Sequence, residues 1–348
     1  MCNSEIKREV AGFEEKQKKH FSQKICEGKD ISLCSGKIIS AHSISRKFLK
    51  KIADDGNVCH VEHNIIRLLN NLEPTTVSKI GISKASTYHM FCSTHDKSLF
   101  SPIEDRELVP DEEQCFRIMF RTIMMEKYLK ECSDRSLDEF IKEGRRNSID
   151  IEYSAGVKSA LKDLNAIAEG VKKELLSEDF SKFSTLRVYL RKKPNILCSG
   201  AFHPEYDLYG TRLSSLASSE TLRDILAINV LPISQNINQN NGVAILSWRN
   251  IDTQRDSKKL IDSLLEVPKD EILNVLIHLI FEYIQNVYFS PKWWESRDAG
   301  VKNRVYELSG IEIHNPVKWQ EMTTSFDSWN VSAADIWNGE EWKRITLN

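Results

Sequence analysis

Long stretches of the chain place hydrophobic residues at three- and four-residue steps, a spacing typical of amphipathic helices. One stretch begins after residue 111 and has apolar side chains at Phe116, Met119, Phe120, Ile123 and Met124. The same period predicts helices over 157–175, 257–266 and 269–289. Pro291 is expected to end the last of these, because the residue before a proline disfavours helical geometry.

Two apolar runs interrupt the helical pattern. "ILAINVLPIS" and "NNGVAILSW" are joined by a polar, asparagine-rich loop, and they predict a β-hairpin near 224–249. The C-terminal tail looks irregular, yet it carries most of the tryptophans, at Trp293, Trp294, Trp319, Trp329, Trp337 and Trp342. This density predicts that the tail packs onto the body of the protein, onto another protein or onto a second copy of the chain.

Residues 26–110 have a different texture. Short apolar runs alternate with turn signals such as "DDGN", and cysteines and histidines are frequent, which predicts a small, loop-rich module with short strands. Within it, Phe48, Leu49 and Ile52 share one helical face and Gly56 is placed as a stop, so a short helix is expected. The first twenty residues or so are interpreted as a charged helix or a frayed tail.

These patterns predict an α+β protein with two parts. Residues 1–110 would form a small, zinc-binding, treble-clef-like module with a basic N-terminal helix, and 111–348 a larger, mostly helical domain with a β-hairpin or small sheet. A chain of 348 residues is long enough for two domains, each with its own core.

Composition narrows the function classes. Charged residues make up 28% of the chain and the net charge is −2, so neither a general basic field for nucleic acid nor an acidic, disordered composition is present. The first residues, "MCNSEIKREVAGFEEKQKKH", lack the apolar core of a secretory signal, and the apolar stretch from Ile272 is interrupted by His278, Glu282 and Gln285. A cytoplasmic location without membrane insertion is therefore expected.

The eight cysteines would then be reduced and available for metal binding or plain packing. Cys92-x-x-His95 has the spacing of a zinc knuckle, and Cys26 with Cys34 could supply the other pair, although seven residues separate them. Gly28 and Gly36 each follow a cysteine by two positions, as tight turns around thiolates prefer. Cys59, in "VCHVEH", could replace Cys26 or Cys34 as a ligand.

"CSGKIISAHSI" followed by "FCSTHDKSLF" resembles the pattern of HNH endonucleases, which have a treble-clef, ββα-metal scaffold. The resemblance covers Cys26 to Phe100. It implies that His42 is the general base, that Cys92 and His95 are structural zinc ligands, and that Asp96 occupies a metal-binding position that is usually histidine. The chain also resembles bacterial proteins that combine "AHSI", "FCxxHDxxLFxxIE" and "FSPxWW", which implies a role in phage defence.

This resemblance implies hydrolysis of phosphodiester bonds in DNA or RNA. A Mg²⁺ or Mn²⁺ ion held by Asp96 and a second donor would contact the scissile phosphate, and neutral His42 would take a proton from the attacking water. The family's orienting asparagine would be Asn64, Asn70 or Asn71. Basic residues near the proposed base, namely Arg46, Lys47, Lys50 and Lys51, could lie along a phosphate backbone or form a solvated helix face.

A different class of function fits the same residues. Residue 41 is alanine, whereas many HNH proteins have a metal ligand before the base, and the gap from His42 to Cys92 is longer than usual. The zinc module could therefore be a structural clip in a non-catalytic protein that binds a protein or nucleic acid, with His42 in the core. The chain lacks a Gly-rich phosphate loop, a serine nucleophile elbow and a His-Glu-x-x-His motif, which argues against nucleotide hydrolysis and acyl transfer.

Overall fold

The computed structural model describes residues 3–34, 36–63, 75–143, 148–214, 222–237, 240–250, 255–310 and 318–347. The helices in these ranges are α1 (Asn3–Phe21), α2 (Arg46–Ile52), α3 (Ser93–Glu104), α4 (Glu112–Lys142), α5 (Ser148–Ser177), α6 (Asp256–Leu265), α7 (Ile272–Tyr283), α8 (Pro291–Glu295) and α9 (Ala299–Leu308). The strands are β1 (Ile38–His42), β2 (Asn57–His63), β3 (Thr75–Gly81), β4 (Thr87–Cys92), β5 (Phe183–Leu190), β6 (Ile196–Phe202), β7 (Leu226–Ile237), β8 (Asn240–Arg249), β9 (Val287–Phe289), β10 (Val331–Trp337) and β11 (Trp342–Ile345).

Side-chain caps fix where two of the helices begin. Asp111 accepts a hydrogen bond from the backbone N–H of Gln114 at 2.8 Å and starts α4. Ser45 accepts from the N–H of Lys47 at 3.3 Å and starts α2. Each cap satisfies an N–H group that has no partner within its own helix.

A nine-stranded antiparallel sheet forms the centre of the fold, in the order β11-β10-β5-β8-β7-β6-β9-β2-β3. Its two faces bury different cores. Along β8, Val243 and Ile245 pack in the core that contains α4, while Ala244 and Leu246 pack in the core that contains α6 and α7. Because side chains of a strand alternate between faces, the apolar runs of the central strands serve both cores.

A second, two-stranded sheet carries the candidate site. β1 pairs with β4 in antiparallel fashion, with Ile38 opposite Cys92 and His42 opposite Thr87. Helix α3 follows β4 directly and packs back onto it, with Phe91 and Phe100 in an edge-to-face contact at 5.2 Å between ring centroids. The chain between β1 and β4 contains α2, β2 and β3, and both of those strands belong to the large sheet.

The α+β prediction is confirmed, and so is the hairpin, formed by β7 and β8. The prediction of a mostly helical second part underestimates its strands, since seven of the nine in the large sheet follow residue 110. The helix expected over 269–289 is wrong at its end, where 287–289 is strand β9. The tail that looked irregular contains β10 and β11. The domain boundary expected at residue 110 would divide the large sheet, because β2 and β3 precede it and the other seven strands follow it.

Candidate metal centre and the polar cluster beside it

The loop after α1 lies along β4 and brings Cys26 to the start of α3. Ile25 donates its backbone N–H to the carbonyl of His89 at 3.0 Å, and Glu27 donates to the carbonyl of Met90 at 2.9 Å. Cys26 lies between these two bonds. The loop is thereby aligned with the end of β4 where the next cysteine of the cluster stands.

Four metal-binding side chains meet here: Cys26, Cys34, Cys92 and His95. Their ligand atoms all lie within 4.8 Å of one another. Nδ1 of His95 is 3.2 Å from the Sγ of Cys26 and 3.2 Å from the Sγ of Cys92. A tetrahedral zinc ion with bonds of about 2.3 Å to sulfur and about 2.0 Å to nitrogen separates its donors by roughly 3.5–3.8 Å. The cluster could therefore hold a metal such as zinc.

Hydrogen bonds to the donor atoms support this interpretation. The backbone N–H of Cys92 points at the Sγ of Cys26 at 3.3 Å. Burial raises the pKa of the Cys26 thiol to about 11, while the N–H groups of Cys92 and Gly28 oppose that rise. N–H groups directed at sulfur stabilise a thiolate, which is the form that binds a metal.

Two neighbours fix the His95 ring. Ser32 Oγ lies 2.9 Å from Nε2, which leaves Nδ1 facing the thiols. Gly28 packs flat against the ring, and a Cβ at that position would stand 2.6 Å from the Cγ of His95. The second glycine singled out by the sequence, Gly36, has φ +75°, a conformation that glycine adopts without strain.

The cluster is open on one side. Cys26, Cys92 and His95 are buried, whereas Cys34 is exposed. The alternative ligand Cys59 lies elsewhere: it is in β2, opposite Phe289 of β9, and belongs to the core on the α6–α7 face of the large sheet. The prediction that Cys59 could replace Cys26 or Cys34 as a metal ligand is therefore wrong.

Asp96 directly follows the ligand His95, whereas His42 lies opposite Thr87, at the other end of the β1–β4 pair from Cys92. Nε2 of His42 is 3.1 Å from the carbonyl oxygen of Ile82, and the imidazole is half-buried at the end of β1. Burial raises the pKa of the Asp96 carboxyl, and the positive charges of Arg121 and His42 oppose the rise. In the part of the chain that the structure describes, the two side chains share no hydrogen bond or ion pair with each other. Within the described residues, neither belongs to a group of three or more metal-binding side chains.

A partly buried ion pair adjoins Asp96. Arg121 donates to Glu104 at 2.7 Å, and its guanidinium lies 4.0 Å from the centroid of the Phe100 ring. Ser45 also donates to Glu104, at 2.5 Å. Burial alone would raise the pKa of Glu104, but Arg121 and Ser45 bring it below its ordinary value. This carboxylate joins the end of α3 to the start of α2 and to α4.

The four basic residues proposed for nucleic acid have two different roles. Lys47 is turned inward: its Nζ donates to the carbonyls of Glu104 at 2.9 Å and Arg106 at 3.0 Å, so it caps the end of α3. Burial lowers the pKa of Lys47, against the pull of Glu104. Its assignment to a phosphate-contacting face is corrected for this reason. Arg46, Lys50 and Lys51 are exposed.

Sequence reasoning missed several residues of the site. Ser32, Glu104 and Arg121 contact the site or its surroundings, but no spacing rule connects them to the cysteines. The asparagines considered as orienting residues, Asn64, Asn70 and Asn71, lie outside the described residues. Among the described residues, Asn286 contacts the small sheet's surroundings: its side chain donates to Ser43 at 2.9 Å.

In the part of the chain with described coordinates, every helix is too short or too polar to traverse a bilayer. No protein family, curated protein or solved structure matches the chain. The candidate site is therefore interpreted from its own geometry.

Proposed function

We propose that this chain is a metal-dependent, HNH-like nuclease that hydrolyses phosphodiester bonds of DNA or RNA on a zinc-stabilised treble clef. The observation that carries the proposal is the Cys26/Cys34/Cys92/His95 cluster where β4 meets α3, with Asp96 directly after the ligand His95 and His42 on β1, the strand that pairs with β4.

The order of elements supports a treble clef. A loop with two cysteines comes first, a two-stranded antiparallel sheet follows, and a helix opens with the Cys92-x-x-His95 pair. In such a unit the metal holds loop, strands and helix together, because each ligand pair belongs to a different element. Zinc at this cluster would thereby fix α3, the helix that carries Asp96.

The bonding of His42 supports a general base. When Nε2 donates its proton to the Ile82 carbonyl, Nδ1 carries the free lone pair, so the ring has one defined tautomer and one defined acceptor. A base held by a second group in this way can accept a proton from an attacking water.

Asp96 is the residue that would hold the catalytic cation. Mg²⁺ is commonly bound through one or two carboxylates together with substrate phosphates and water, so a single aspartate suits a site that the substrate completes. Such a cation, when bound, supplies Lewis-acid stabilisation of the charge that develops on the phosphate. The raised pKa of Asp96 fits a carboxylate whose ionised form needs a nearby positive charge.

The test is nuclease activity on plasmid, single-stranded DNA and RNA with Mg²⁺ or Mn²⁺. Wild type should cut at least one of them, and His42→Ala and Asp96→Asn should each lose activity by about 100-fold or more, as for loss of a general base or of a metal ligand. His60→Ala is the matched control, since His60 is also a half-buried strand histidine and bonds Ser78 at 3.1 Å. Cutting that persists in His42→Ala would refute the proposal.

One observation favours a second, non-catalytic function. The Ile82 carbonyl already satisfies one nitrogen of His42, and Asp96 is half-buried, as expected of side chains with structural roles. In that case the metal is a clip and the protein binds a partner. A folded, zinc-loaded wild type that cuts none of the three nucleic acids would favour this function.

Because the sequence resembles phage-defence proteins, we also propose that the chain protects bacteria against phage. Bacteria that express the wild-type chain should restrict phage plating, and His42→Ala should lose the restriction. Restriction that is equal for wild type and variant would separate a defence role from nuclease chemistry.

A further inference from the structure

Two basic segments that are distant in sequence meet on one side of the molecule. The first is the exposed edge of α2, and the second is the turn between β5 and β6, "RKKPN" at 191–195. Nζ of Lys193 donates to the backbone carbonyl of Lys51 at 2.7 Å, which ties the turn to the helix. We call the six cations of these segments the basic patch: Arg46, Lys50, Lys51, Arg191, Lys192 and Lys193.

All six side chains of the basic patch are exposed, and in the described ranges none is ion-paired with a carboxylate. Three carboxylates lie next to these segments. Asp54 pairs with Lys292 at 2.8 Å. Asp327 accepts from Asn195 at 2.9 Å and keeps its negative charge, and Asp55 is exposed three residues after α2. The six cations outnumber these acids, so the patch keeps a net positive charge.

The backbone beneath the turn is held firmly. The N–H groups of Arg191 and Lys192 donate to the carbonyls of Asn330 and Trp329, at 3.0 Å and 3.1 Å. The Asn241 side chain donates to the carbonyl of Arg191 at 2.8 Å. Because the backbone is fixed, a ligand would meet charges already arranged on one surface, and less ordering entropy would oppose binding.

The basic patch begins close to His42. Helix α2 starts four residues after that imidazole and is seven residues long, which corresponds to about 10 Å. A B-DNA strand carries a phosphate roughly every 3.4 Å of helix axis, so about three phosphates match the length of α2. A strand that lies along the patch would reach the His42 end of β1.

We propose that the basic patch binds the sugar-phosphate backbone of a nucleic acid and directs it towards His42, with the 191–193 turn contributing as much as α2. The inference rests on the proposed nuclease function for its substrate class. An anionic membrane is disfavoured because membrane-surface binding also needs apolar side chains. The exposed large hydrophobic residues of the described chain, such as Leu33, Val109 and Tyr153, are in neither segment.

The test measures binding separately from cutting. Fluorescein-labelled 20-mers of single-stranded DNA, duplex DNA and RNA are titrated with protein in the His42→Ala background, without added divalent cation, and followed by anisotropy at several KCl concentrations. The patch variant combines Arg191→Gln, Lys192→Gln and Lys193→Gln. We expect it to bind at least tenfold more weakly than its parent and to lower the slope of log K against log [KCl] by about 2–3.

The matched control combines Lys162→Gln, Lys173→Gln and Lys182→Gln, three exposed lysines outside the patch, and changes the net charge equally. It should bind within twofold of the parent. Lys193→Arg should also retain binding, since it keeps the charge. If the triple patch variant melts early, Arg46→Gln with Lys50→Gln tests the same surface from α2, where the two side chains support no other element.

Equal losses of affinity in the two triple variants would overturn the inference, because binding would then depend only on the net charge of the protein. Absence of binding by the parent at 50 mM KCl would overturn it as well, as would patch-dependent binding to phosphatidylserine vesicles but to no nucleic acid. Failure of the nuclease proposal gives a different result: the wild type cuts nothing, while the patch variant still loses binding that the control keeps.

Discussion

The side-chain amide of Asn286 donates to the hydroxyl of Ser43 at 2.9 Å, and this bond joins the large sheet to the residue that follows His42. The same amide donates to the carbonyl of Ser199 at 2.8 Å and accepts from the Tyr88 hydroxyl at 3.2 Å. Asn286 is almost fully buried. It therefore connects β4, β6 and the residue that follows β1 through polar contacts.

Replacing Asn286 by alanine should lower the free energy of unfolding by about 2–4 kcal/mol, because the Ser43 hydroxyl, the Tyr88 hydroxyl and the Ser199 carbonyl each lose a partner. Tyr88→Phe removes one of these bonds and should cost about 1 kcal/mol. Urea unfolding of both variants and of the double variant measures the coupling. Additive losses would contradict a shared network.

Cys92→Ser should reduce bound zinc from about one ion per chain to almost none and lower the free energy of unfolding by about 3 kcal/mol or more, since binding to such a site is coupled to folding. Metal content by mass spectrometry and thermal unfolding measure the two effects. The control is Cys115→Ala, at a buried cysteine that donates to the carbonyl of Pro110. It should lose stability and keep its zinc; wild type without zinc would contradict the metal centre.

Gly28→Ala should weaken zinc binding at least tenfold. The new Cβ would stand 2.6 Å from the Cγ of His95, so the imidazole must move away from the thiols. Competition with a chromophoric chelator measures the affinity. Gly12→Ala is the matched control, because a Cβ there has no atom within 4 Å. Equal affinities in the two variants would mean that the ring does not bind the metal.

Ionisation of the Glu126 carboxyl should lower the free energy of unfolding as pH rises. Burial raises the pKa of this carboxyl to about 7 in the folded protein, against the opposing N–H of Ala201. The folded state therefore holds the proton more tightly than the unfolded state, and its contribution is complete below about pH 4.5 and lost as pH rises through 7.

Glu126→Gln should remove this dependence and be more stable than wild type at pH 8 by about 1–2 kcal/mol, with no difference at pH 4. The amide oxygen can still accept from Ala201, which donates to Glu126 at 3.1 Å. Urea unfolding at the two pH values measures the change, and Glu152→Gln, at an exposed position, should leave it unaltered. A variant that is less stable than wild type at pH 8 would contradict the raised pKa.

Local features of the fold could be predicted from the sequence. Apolar periodicity predicted the helical interior of α5 within 157–175 and most of α6, and two runs around an asparagine-rich loop predicted β7 and β8. The cysteine cluster could be proposed because thiols and imidazoles have few other uses at knuckle spacing. These signals are carried by residues close together in the chain.

The large sheet could not be predicted in the same way. The runs of β5 and β6 are buried on both faces, so they lack the alternation that distinguishes a strand from a buried helix. The three-residue strand β9 continues an apolar helix and is extended because it pairs with both β2 and β6. Lys47 looked like a surface cation, and only the carbonyls at the end of α3 reveal its role as a cap.

After β1 the chain leaves the small sheet and forms β2 and β3, which complete one side of the large sheet beyond β9. It then returns to the small sheet as β4. A fragment that begins at residue 111 would consequently expose the backbone of β9 and should aggregate, since an uncovered strand recruits other chains. Shortening the chain from the N-terminus would therefore remove part of the large sheet together with the candidate metal centre.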